Sequence, residues 1–120
     1  MSPAPPENTL EVSDVLFFDN LALHYLVNET PPPVLARVFV SADSRIGGCL
    51  LGVMAPKQRE TIHALMADSK DGDQAKNRDA AQALMIIAED IIKRGHIQKK
   101  GPRHFYGVPA EPEAPATEPS

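Results

Sequence analysis

Prolines set the limits on how this chain divides into helices. Pro31-Pro32-Pro33 and Pro56 interrupt a stretch whose apolar residues otherwise recur at helical spacing. A helix tolerates proline in its first turn, where the missing N–H has no partner in any case. The spacing therefore predicts short helices that start near residues 31 and 56. Seven of the 12 prolines lie instead toward the ends: Pro3, Pro5, Pro6, Pro109, Pro112, Pro115 and Pro119. Segments 1–9 and 109–120, the latter reading PAEPEAPATEPS, are expected to be extended, disordered, solvated tails. Roughly 99 residues, 10–108, then remain to build a single helical domain with a modest core.

Within that domain the first helix is expected from a cap at Ser13 or Asp14 to Asn28. Val15, Phe18, Ala22, Tyr25 and Leu26 form its apolar stripe, widened by Phe17 and Leu21. Thr30 reads as the cap of a second helix with Pro31 as its first residue, continuing through Val34, Leu35, Val38 and Phe39. Asp43 caps a third, which carries Ile46, Cys49, Leu50, Val53 and Met54. Gly47 and Gly48 each weaken that helix by up to about 1 kcal/mol relative to alanine. They are therefore expected either where another helix crosses closely, the favoured reading, or in a turn with the helix starting nearer Cys49. Pro56 opens a fourth helix with Ile62, Leu65 and Met66 on its apolar face. After a polar loop over Asp68–Lys76, a long helix runs from Asn77 or Asp79 to Arg94, and Gly95 stops it. Arg103–Val108 is expected to be a short extended segment. The fold class is all-α, with about five helices.

Charge narrows the partners. Glu7, Glu111, Glu113 and Glu118 lie in the ends, all 12 bases lie between them, and the inner segment is neutral. Its average charge gives no reason for nucleic-acid or acidic-membrane binding. No apolar run is long enough for a membrane span, and no secretory signal pattern opens the chain, so a cytoplasmic protein is expected. The single cysteine, Cys49, excludes a disulfide framework within one chain.

Catalytic and metal chemistry find no assembled pattern. His24, His63, His96 and His104 have no i,i+4 pair on one helix and no HExxH motif. Cys49 stands among Ile46, Leu50 and Val53, as a small core residue would. Gly47–Gly52 lacks the Lys-Ser/Thr of a phosphate loop, and the acids around Gly72 lack the offsets of a calcium loop. No catalytic residue, metal site or cofactor is expected.

One segment is unbalanced. Between Ile91 and Val108 there is no acid, while Lys93, Arg94, Lys99, Lys100 and Arg103 accompany His96, His104, Phe105 and Tyr106. It reads as a solvated basic helix end favoured by the macrodipole, as a nucleic-acid contact, or as a site for an acidic protein. In outline it is similar to the last helix and wing of a winged-helix domain. That likeness implies nucleic-acid binding through Lys93, Arg94, Lys99, Lys100, Arg103 and Tyr106.

Leu26–Ala67 carries a second resemblance. An acid precedes a proline turn in Glu29-Thr30-Pro31-Pro32, Ala36 follows, and the apolar run Val38 onward ends before Asp43. Gly47-Gly48 then precede Leu50-Leu51, and Ala55-Pro56, Arg59, Ile62 and Ala67 close the pattern. This resembles the armadillo-like helical repeat in the middle domain of the flagellar rotor protein FliG, echoed in the N-terminal domain of MgtE magnesium channels. Thr30 and Pro32 stand where the family's partner-binding turn has His and Gln, and Pro33 is an extra residue. The family's charged torque-generating domain has no counterpart in this sequence. The resemblance implies a non-catalytic protein–protein interaction module of a flagellar-switch or secretion-type ring, contacted through Glu29, Thr30, Pro31 and Pro32. A lone repeat buries little, so flanking helices, a protein partner or a second copy must cover its faces.

Overall fold

A computed structural model describes residues 10–101 and 104–109. The two expected tails, apart from Pro109, and the candidate Arg103 lie outside the described residues. The described part is helical except for one two-stranded hairpin. A 3-10 helix, Val12–Phe17, leads into α1 (Asn20–Glu29), α2 (Pro32–Ser41), α3 (Ser44–Leu51), α4 (Pro56–Met66) and α5 (Gln74–Lys93). The antiparallel strands β1 (Ile97–Lys99) and β2 (Phe105–Gly107) follow.

The expected first helix is broken in two. Phe18 is extended, at φ −83° and ψ 139°, and buried with its ring 4.9 Å from that of Phe105. Its neighbour Asp19 donates its backbone N–H to the Phe105 carbonyl at 2.9 Å. Asp19 rather than Ser13 or Asp14 then caps α1, accepting from Ala22 N at 2.8 Å. A contact with a strand 87 residues later thus overrides the local helical pattern.

The start of α2 shifts by one residue. Thr30 ends α1 instead of capping α2, and Pro31 takes the cap position. The prolines that follow offer no N–H to the last carbonyls of α1. The Thr30 hydroxyl supplies a donor in their place, its O–H donating to the Leu26 carbonyl at 2.6 Å from a buried position. Asp43 does cap α3, accepting from Arg45 N at 2.8 Å, and α4 does begin at Pro56. The long helix starts earlier than expected, at Gln74, because Asp73 caps it by accepting from Lys76 N at 3.1 Å. Gly95, at φ +88°, turns the chain out of α5 in the left-handed conformation that glycine adopts without strain.

The core joins these pieces. Leu26, Val27, Val38, Leu50, Leu84, Ile91 and Ile97 are among its fully buried side chains. Helix α2 packs against α4 and α5, while α1 lies between α5 and β2. The expected close crossing at Gly47 and Gly48 is not found. A Cβ on Gly48 would meet nothing within 4 Å, and one on Gly47 would make ordinary contact with the Phe39 ring at 3.7 Å. The close approach is at Gly107, where a Cβ would sit 2.6 Å from Leu21 Cγ and 2.7 Å from Ala22 N.

Candidate interaction surfaces

The two surfaces marked out by the sequence meet at one ion pair. Glu29, at the end of α1, accepts from the Arg94 guanidinium at the end of α5, and Arg94 also donates to Asp90 at 2.9 Å. The hydrogen bond that Arg94 donates to Glu29, followed by the two nearby carboxylate charges, raises the pKa of Arg94 above its ordinary value. The charge of Arg94 is thus paired with two carboxylates.

Around Glu29, Thr30 is buried and its hydroxyl already donates, whereas Pro31, Pro32 and Pro33 are all exposed. This corner is held on both sides. Thr30 pegs it to α1, and the Pro31 carbonyl accepts from Val34 N and Leu35 N at 3.0 and 3.2 Å. Three adjacent pyrrolidine rings with fixed φ make a stiff apolar ledge beside a carboxylate.

The hairpin is the second surface. Its ladder extends past both strands, with Val108 N donating to the His96 carbonyl at 2.8 Å and Lys100 N to the His104 carbonyl at 2.7 Å. Alternation puts Ile97, Phe105 and Gly107 toward the core. The outer face carries His96 opposite Val108, Gln98 opposite Tyr106, and Lys100 opposite His104. Tyr106 donates its hydroxyl to Gln98 Oε1 at 2.8 Å, and its ring lies 6.3 Å from that of His104, 18° from parallel. Lys99 pairs with Phe105 at the edge of the inward side, with Nζ 5.8 Å from the Phe105 ring centre. Lys93, Lys99 and Lys100 are exposed, and none of them forms an ion pair among the described residues.

The histidines do not converge. His24 shares a 2.9 Å hydrogen bond with Asn28 Nδ2, and all four histidine side chains are exposed. Among the described residues no group of three His, Cys, Asp or Glu side chains could hold a metal ion, and no helix is long and apolar enough to cross a membrane.

A further polar cluster had no signal in the sequence. Arg37 of α2 donates to both carboxylate oxygens of Asp71, at 2.9 and 3.0 Å, and to Asn77 Oδ1 at 3.0 Å. It fastens the loop before α5 onto α2. The Arg37 hydrogen bonds, and then the Asp73 N–H, hold the Asp71 carboxyl well below the usual carboxylate range. Similarly, the Arg45 side chain and backbone N–H lower Asp43 to about 2.

No family model, curated protein or solved structure matches the chain.

Proposed function

We propose that this chain is a non-catalytic protein–protein interaction module whose docking feature is the corner Glu29–Pro33. One observation carries the reading: Pro31, Pro32 and Pro33 are exposed side by side on a backbone fixed by Thr30 and by the start of α2. Binding loses affinity to the ordering of flexible groups, and a corner already fixed avoids most of that loss. The partner is a protein with an apolar groove for the proline rings and a basic or amide donor for Glu29. Thr30 acts as the peg that sets the corner, so the contacting residues are Glu29, Pro31 and Pro32 together with Pro33. The resemblance of Leu26–Ala67 to the FliG middle-domain repeat supports a partner in a flagellar-switch or secretion-type ring, working in the cytoplasm.

The test is quantitative. A partner recovered by affinity capture with the full chain is purified and titrated against wild type and the Glu29→Lys/Pro31→Ala variant. Circular dichroism checks that the variant folds. A loss of tenfold or more in affinity is expected, and unchanged affinity in a folded variant would remove this corner from the interface.

A further inference from the structure

We infer that the outer face of the β1–β2 hairpin binds single-stranded nucleic acid, separately from the proline corner. Residues 91–109 contain no acid, and the exposed Lys93, Lys99 and Lys100 have no carboxylate partner among the described residues. Lys100 stands on the outer face, Lys99 at the edge of the same ribbon and Lys93 at the end of α5, and together these solvated ammonium groups suit a polyanion whose charges repeat along a line.

The rings decide which polyanion. Tyr106 is tethered through its hydroxyl to Gln98, and His104 lies nearly parallel beside it. Their cross-strand neighbour is Lys100, whose backbone N–H donates to His104. From His96 to Lys100 the face spans roughly 13 Å at the usual rise per residue, enough for a few unstacked nucleotides. A base stacks on a ring that is already fixed, while Lys100 on the same face takes a phosphate and Lys99 and Lys93 supply further positive charge beside it.

A duplex suits the surface less well. Seated on both helix and hairpin, as in a winged-helix complex, it would bring phosphates toward the outward side of α5. There Asp79 and Asp90 are exposed, and Glu89 is half-buried with Oε2 accepting from Leu10 N. Arg94, the residue that follows Lys93 at the end of α5, is already paired with Glu29 and Asp90. A single strand confined to the hairpin avoids these acids.

The full chain is titrated into a fluorescently labelled dT12 oligonucleotide and followed by anisotropy at 50 and 200 mM salt. Three phosphate contacts predict a fall of roughly 20-fold in affinity between those salts. Lys99→Ala/Lys100→Ala, which changes two exposed side chains, should weaken binding at low salt by about tenfold and flatten the salt dependence. Tyr106→Leu should weaken binding about tenfold, and Tyr106→Phe, which keeps the ring, should bind within about threefold of wild type. Thermal melts confirm that each variant is folded. No binding at 50 mM salt, equal or tighter binding of a 12-base-pair duplex, or equal competition by polyglutamate would each overturn the inference.

Discussion

One carboxylate oxygen joins the beginning of the domain to its end: Asp19 Oδ1 accepts from Ala22 N at 2.8 Å and from Gly107 N at 2.9 Å. The first bond caps α1 and the second clasps β2. The Asp19 backbone N–H completes the joint by donating to the Phe105 carbonyl. A helix cap and a tertiary tie thus share one atom, and the proposed binding face of the hairpin depends on it.

Asp19→Ala should be the most damaging polar substitution in the domain. Loss of the cap costs about 1 kcal/mol, and loss of a charge-assisted bond to the strand about 1.5–3 kcal/mol. Chemical denaturation should show a total near 2–4 kcal/mol, whereas Asp19→Asn, still able to cap, should lose less than half of that. Equal losses for the two variants would mean that the carboxylate charge, not the cap geometry, holds the joint.

Two glycines make opposite predictions. Gly107→Ala forces a Cβ against the Ala22 backbone nitrogen, 2.7 Å away, and backbone cannot swing aside as a side-chain tip can. The strand must lift from α1, at a cost of about 1–3 kcal/mol. Gly48 lies in α3 with open space around it, so Gly48→Ala should stabilise by about 0.5–1 kcal/mol through helix propensity alone. Gly48→Leu should be tolerated as well, because there is no neighbour to overpack. Melting temperatures of the three variants check all three signs.

How far each feature was legible depends on the range of its cause. Asp43 and Pro56 open their helices where the sequence puts them, because capping and proline geometry act within one turn. The shift at Thr30 is also local in cause, but it needed the three prolines to be weighed against the donor needs of α1, the helix before them. The break at Phe18 was hidden, since its ring partner Phe105 lies at the other end of the domain. The close-packed glycine is Gly107, not Gly47 or Gly48. Gly107 has no helical context to make it conspicuous, and the strand it belongs to exists only by pairing with β1. Of the two candidate surfaces, the basic one was legible as composition. The pairing of Arg94 with Glu29, across 65 residues, was not.

The Arg37–Asp71 pair gives the domain an acid-sensitive joint. Hydrogen bonds from Arg37 and the Asp73 N–H depress the folded-state pKa of Asp71 below its unfolded value, so the folded state favours the carboxylate. The stability this contributes is fully present above the unfolded value, about pH 4, and is lost as pH falls toward the folded one. Asp43, lowered to about 2 by Arg45, adds to the same limb. Asp71→Asn should therefore melt below wild type at pH 6, because a neutral amide replaces the carboxylate in the Arg37 fork. The gap between their melting temperatures should narrow steadily from pH 4 to pH 2, where Asp71 takes up its proton in the unfolded chain while the folded carboxylate stays ionised. Asp71, the exposed member of the pair, is reached by salt, so the gap at pH 6 should also shrink between 50 mM and 500 mM sodium chloride. Equal melting temperatures at every pH would show that Asp71 holds the loop through geometry common to acid and amide, with no contribution from its charge.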